Sequence, residues 1–176
     1  MDRSTTVLYV ATSVDGYVAT ADGGVDWLDG FQSDEVSEGY DAFFDDVDCL
    51  VMGSTTYEQV LGFGEWPYDD RPTYVVTSRD LPRAADTVEF VSGGVDELAE
   101  RLERRGDRIW LVGGAQLAQA FLREGHVDRL RLAVVPILLG GGISLFGDGP
   151  RQALTLVETT EYANGLVELA YEIDTE

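Results

Sequence analysis

Residues 108–124, R-I-W-L-V-G-G-A-Q-L-A-Q-A-F-L-R-E, restrict what this chain can fold into more than any other stretch. Residues 109–112 are a short apolar run of strand-favouring side chains, Gly113 and Gly114 interrupt it, and Leu117, Ala118, Phe121 and Leu122 then fall at helical spacing. The order is strand, glycine turn, helix. Two glycines remove the side chains that would hold an anion away from the backbone, and the helix start supplies unpaired N–H groups and the positive end of its dipole. A Gly-Gly pair reads equally as a tight turn that needs positive backbone angles, so the rest of the chain has to decide between the two.

With 176 residues, 44% of them hydrophobic, the chain is long enough for one domain with a substantial core, and no linker-like segment divides it. One unit spanning residues 1–176 is expected. The formal charge is -21, and all 12 basic residues are Arg. So acidic a surface repels nucleic acid and anionic membranes, and neither is an expected partner. Mutual repulsion among the carboxylates is damped at molar salt, where the Debye length is about 3 Å, so the charge reports a salt-rich solvent of the halophilic kind rather than a ligand. Cys49 stands alone inside C-L-V-M and reads as a small buried hydrophobe. His126, also alone, follows Gly125 at a helix end and reads as a cap or surface residue; without a Cys/His cluster no structural zinc site is expected. The start, M-D-R-S-T-T, has no basic region followed by an apolar core, and the apolar run around 132–139 is too short for a membrane span; a cytoplasmic protein is expected.

Residues 7–12 read as a first, buried strand, followed over 13–28 by a long loop punctuated with two Asp-Gly pairs. Ser33 is a good N-cap, and Val36, Tyr40, Phe43, Phe44 and Val47 predict an amphipathic helix after it. Residues 49–52 form a second strand, broken by Gly53, and Ser54, Thr55 and Thr56 lead into a short helix at 57–61, a second place where an anion can be held. The loop 62–72, with Phe63, Trp66 and Tyr68, is expected at the surface, packed by its own rings. Strands follow at 73–77 and 88–91, and then a helix marked by Val95, Leu98, Ala99 and Leu102 in a segment ending at Gly106. After the central unit, 128–135 form a strand closed by Pro136, and 154–159 and 166–173 alternate around Asn164-Gly165, a hairpin dipeptide. Strands alternating with helices predict an α/β three-layer sandwich: a mostly parallel mixed sheet, helices on both faces, and a C-terminal antiparallel hairpin. Ligands of such sheets lie beyond the carboxyl ends of the strands, where Thr12-Ser13, Gly53-Ser54, Thr77-Ser78-Arg79, Ser92-Gly93 and Gly113-Gly114 should meet on one rim.

No Ser/His/Asp triad, G-x-S-x-G elbow, G-x-G-x-x-G turn after the first strand or P-loop is present. Dispersed hydroxyls, backbone amides and one arginine suit instead a long phosphorylated cofactor laid across several strand ends. Arg79 reads equally as the partner of a monophosphate, such as the 2′-phosphate of NADPH, and as a surface arginine beside Asp80.

V-A-T-S-V-D-G-Y-V-A, C-L-V-M-G-S-T-T-Y-E, V-V-T-S-R, W-L-V-G-G-A-Q-L-A-Q-A-F-L and V-D-R-L-R-L-A-V-V-P-I-L-L-G-G-G, in this order, resemble the dihydrofolate reductase-like superfamily over nearly the whole chain. The nearest branch contains the C-terminal reductase domain of the bacterial riboflavin-biosynthesis deaminase-reductase. The resemblance implies that fold, NADPH as cofactor, a small heterocyclic substrate of pyrimidine or pteridine type, and often a homodimer. It implies that Ala11 and Val18 flank the nicotinamide and that Gly53, Ser54, Thr55 and Thr56 hold the pyrophosphate region. Thr77, Ser78 and Arg79 would meet the adenosine ribose and its 2′-phosphate, and Gly113, Gly114, Ala115, Gln116 and Leu117 the pyrophosphate and nicotinamide ribose. Ser54 stands where dihydrofolate reductases commonly carry a basic residue. Their pterin-binding acid would fall at Gln32, two residues before Asp34, and G-S-T-T-Y-E matches the aspartate-rich motif of the riboflavin-type reductases poorly. Asp15 and Asp34 are the candidate catalytic acids, with an Asx-type turn as the other role for Asp15. The alternatives are a dihydrofolate reductase and a non-catalytic nucleotide-binding dimeric scaffold.

Overall fold

A computed structural model of the chain describes residues 4–68, 70–105 and 107–174. Its first half runs through β1 (Thr5–Ser13), β2 (Tyr17–Ala19), a 3-10 segment (Asp26–Phe31), α1 (Asp34–Asp45), β3 (Cys49–Gly53), α2 (Ser54–Gly62), β4 (Thr73–Val76) and β5 (Val88–Val91). The second half adds α3 (Val95–Glu103), β6 (Arg108–Gly113), α4 (Ala115–Arg123), β7 (Arg129–Val135), β8 (Ile143–Ser144), β9 (Leu154–Glu161) and β10 (Val167–Ile173).

Eight strands form one sheet in the order β5-β4-β3-β6-β1-β7-β10-β9, in which β10 alone runs against the others; β2 and β8 pair separately. The continuous apolar runs of the central strands are explained by their two covered faces. Alternate residues point opposite ways, so Leu8, Cys49, Val51 and Leu111 enter one core with α3 and α4, while Tyr9, Leu50, Met52 and Trp110 enter the other with α1 and α2. Each fully buried aliphatic side chain contributes on the order of 1.5–3 kcal/mol.

The helices carry their own local signals. Ser33 caps α1, its side chain accepting from the Val36 N–H at 3.3 Å, and Tyr40, Phe43 and Phe44 of that helix lie against Trp110 with ring centroids 5.5–6.3 Å apart. α4 ends at Gly125 (φ +76), where the His126 N–H closes onto the Phe121 carbonyl at 2.8 Å; His126 thus works as the expected cap, with its ring on Asp96. Cys49 is fully buried, and burial pushes its thiol up to about 12.

The expected three layers and the hairpin at Asn164-Gly165 are present, with three differences in detail. The helix after β3 starts at Ser54 rather than Tyr57, so the hydroxyl run is its first turn. The loop over 13–28 contains β2 and the start of the 3-10 segment, elements too short to leave a periodic pattern. Trp66 and Tyr68 are buried against Tyr57 and Phe44 instead of packing a surface loop of their own, whereas Phe63 is exposed. Gly106, read as the end of α3, lies outside the described residues.

Candidate functional site

β5, β4, β3, β6 and β1 are neighbours and parallel, so their carboxyl ends share one edge of the sheet, as expected. The chain changes direction across the sheet between β3 and β1, with β6 between them, which opens a crevice at those ends. A cavity of about 750 Å³ occupies it. Ala11, Gly53 and Gly113 form part of its wall at the strand ends, Ser54, Thr55 and Thr56 come from the start of α2, and Ala115, Gln116 and Leu117 from the start of α4. Val18 and Ala19 of β2, with Ile143 of β8 and the adjacent Leu145, cover it.

The two helix starts are uncapped by side chains: Gly53 precedes α2 and Gly114 precedes α4, and neither makes a side-chain cap bond. Their first-turn N–H groups therefore remain available to a ligand, each set at the positive end of a dipole. The glycines also stand against each other. A Cβ on Gly53 would lie 3.7 Å from the Gly114 nitrogen, and one on Gly114 would lie 3.4 Å from the Thr56 hydroxyl. Gly113 has φ +125, which side-chain-bearing residues rarely adopt, and its peptide bond to Gly114 is cis. The residues present thus fit the diphosphate of a dinucleotide: the wall between two helix starts carries no side chain of its own.

Among the expected residues, Ala11, Val18, Gly53, Ser54, Thr55, Thr56, Gly113, Gly114, Ala115, Gln116 and Leu117 all line the cavity. Thr77, Ser78 and Arg79 do not line it; they follow Val76, which does and which pairs with Gly53 across β3 and β4. Arg79 is exposed and bound to Glu58, and its backbone N–H donates to the Thr77 hydroxyl at 3.1 Å.

The two candidate catalytic acids lie outside the wall of this cavity. Asp34 is exposed in the first turn of α1, a place that suits its charge to the helix dipole, and it is not part of the cavity wall. Asp15 holds two loops together. Its carboxylate accepts from the Ser13 hydroxyl at 2.5 Å, the Leu139 N–H at 3.1 Å and the Gly140 N–H at 2.9 Å. The Ser13 hydroxyl, then the Gly140 and Leu139 amides, hold this carboxyl below the ordinary carboxylate range. Asp15 is therefore a clamp between two loops rather than the Asx-type turn expected for it, because its amide donors come from Leu139 and Gly140 and the Tyr17 N–H goes to the Ser13 hydroxyl at 3.0 Å.

Sequence reasoning did not single out Val25, Leu28, Gln59, Ile143 or Leu145 as part of the cavity wall. None lies in a motif; only the fold brings them to the strand ends, and the G-G-G run before Ile143 was the sole local hint. A Cβ on Gly142 would lie 2.2 Å from the Ala19 carbonyl, so this glycine is what lets β8 lie against β2.

A parallel-rich sheet with its order reversing beside uncapped helix starts defines an open α/β protein with a ligand crevice at its strand ends. The model of the RibD C-terminal domain family matches residues 5–168, and the chain belongs to that family. It is 36% identical over 173 residues to YwjB of Bacillus subtilis, a protein of uncharacterised function, covering 97% of this chain and 98% of that one. A crystal structure from Shewanella sp. PV-4, of a protein assigned to riboflavin biosynthesis, superposes with a TM-score of 0.87 at 30% identity over 97% of this chain and 99% of that chain. Dihydrofolate reductase from Enterococcus faecalis, solved with NADP(H), shares the fold at a TM-score of 0.68 and 17% identity, covering 97% of both chains.

Proposed function

We propose that this protein is an NADPH-dependent reductase of a small pyrimidine- or pteridine-like heterocycle. The observation that carries the reading is the pair of uncapped helix starts facing a cavity across two abutting glycines. The amides of 54–56 and 115–117 would hold the pyrophosphate, Ala11 and Val18 would flank the nicotinamide, and Thr77, Ser78 and Arg79 would take the adenosine end. When bound, NADPH supplies a hydride from C4 of its nicotinamide and becomes NADP+, while a proton from water completes the two-electron reduction of a C=N or C=C bond. The protein's part is to orient the two rings and exclude bulk water. Among the described residues no carboxylate lines the cavity, and Tyr9, the one titratable lining residue among them, donates its hydroxyl to Glu168 at 2.7 Å. A solvent proton follows from that arrangement, and a folate reductase relying on Asp34 loses its support. The reading also includes a cytoplasmic homodimer; exposed Leu154, Leu156 and Val157 on the edge strand β9 offer an apolar surface for a second copy.

NADPH titration by cofactor fluorescence in molar salt tests this reading. Wild-type protein should bind. Gly114→Val, which puts a branched side chain beside Thr56, should lose NADPH affinity while keeping its circular dichroism spectrum; undiminished affinity refutes the placement. Arg79→Ala should weaken NADPH more than NADH, by about 1 kcal/mol. That is below the roughly 1.5–3 kcal/mol of a charge-assisted bond because the side chain is exposed and Glu58 competes for it. Equal losses for the two cofactors would mean that Arg79 does not read the 2′-phosphate.

A further inference from the structure

We propose that the substrate of this cavity is an uncharged heterocycle, one that carries neither phosphate nor carboxylate; the proposal rests on the reductase reading above. Among the described residues, no Arg, His, Asp or Glu side chain lines the cavity. Away from the two helix starts, its lining is mainly apolar, with Val25, Leu28, Ala19, Ile143 and Leu145.

An anion taken from water into such surroundings needs a cation or several oriented donors, or it pays its full desolvation cost. Two sets of donors exist, at the starts of α2 and α4, and the diphosphate of the cofactor would use both. Arg79 stands outside the wall and is engaged by Glu58. The chain's net charge of -21 adds a further barrier to a second anionic ligand. Molar salt screens that long-range part but replaces no missing contact, because screening acts beyond about 3 Å. A phosphorylated ribosylaminopyrimidine would therefore leave its phosphate without a partner in this wall.

Gln59 supplies the complementary positive evidence. Its Nε2 donates to the Gly23 carbonyl at 2.7 Å, which fixes the amide of this lining residue and leaves Oε1 as its acceptor. An apolar wall with a fixed amide acceptor suits a flat, neutral ring bearing an N–H.

The test is calorimetric binding to NADPH-saturated protein in molar KCl, with 5-amino-6-(ribosylamino)uracil and its 5′-phosphate as a matched pair. The neutral compound should bind at least tenfold more tightly. Equal or tighter binding of the phosphate, or no binding of the neutral compound, overturns the proposed class while NADPH binding in the same sample keeps the reductase reading. A sample that binds neither NADPH nor either compound overturns both. Gln59→Arg keeps a donor for the Gly23 carbonyl and adds a cation to the wall, so the preference should shift at least tenfold toward the phosphate. Unchanged discrimination in a folded variant would show that a missing cation is not its cause, and the proposal falls.

Discussion

The Asp15 carboxylate accepts hydrogen bonds from one hydroxyl and two backbone amides, and so ties the turn after β1 to the loop after β7. Both segments lead directly into the β2–β8 pair that covers the cavity. Removing the carboxylate in Asp15→Ala should therefore speed amide hydrogen exchange over 16–19 and 139–145 and leave the central strands protected; an exchange pattern identical to wild type would refute the clamp. The pH dependence has a definite sign. Because the folded-state carboxyl lies below its ordinary range, its contribution is present above the unfolded value near 4 and disappears as pH falls through the lower folded value. Acid alone should thus loosen the same two segments. The sequence offered an acid in S-V-D-G, but a carboxylate's role depends on which donors reach it, and Leu139 and Gly140 arrive from more than a hundred residues away.

α1 is an element whose limits were written locally. Ser33 accepts from Val36, Asp34 and Glu35 meet the positive end of the dipole, and the aromatic stripe faces Trp110. Ser33→Ala removes one cap bond and should cost about 1 kcal/mol. In a chain of this size that lowers the melting temperature by roughly 2–4 °C. A melt superimposable on wild type would mean that tertiary packing alone sets the start of the helix. The β2–β8 pair is the opposite case. Three residues pair with two; the Gly142 position permits the close approach, and besides Asp15 the pair is held by the Leu145 N–H on the Gly16 carbonyl at 3.0 Å and the Gln119 amide on the Ser144 and Leu145 carbonyls, both at 3.3 Å. No window of sequence contains that information.

For the whole molecule, charge is the dominant feature. At molar salt the Debye length is about 3 Å, and at 0.1 M it is about 10 Å, so dilution brings many more carboxylate pairs within range of one another. Thermal stability should fall as KCl is lowered from molar to 0.1 M, and an unchanged or rising melting temperature would refute the halophilic reading. Nonspecific screening is required for this, because the described ion pairs are mostly between exposed groups and contribute little each. The exception is Glu168, which is 3% exposed and receives Arg131 at 2.7 Å together with the Tyr9 hydroxyl.

The chain by itself determined the sheet and its layers. A strand buried on both faces must be continuously apolar, a helix over it must show a stripe, and glycines must stand where backbone approaches backbone; each of these is a local requirement written in adjacent residues. It also marked Gly53-Ser54 and Gly113-Gly114 as places where a strand gives way to a helix, although a tight turn and an anion site read alike there. Only the tertiary structure decided what surrounds them: that Asp15 and Asp34 stay outside the cavity, that Arg79 meets Glu58 at the rim, and that apolar Val25, Leu28 and Ile143 close the remaining wall. Local propensity ranks conformations within a few residues, whereas the chemistry of a cavity is the sum of side chains from segments whose proximity exists only after the sheet has formed.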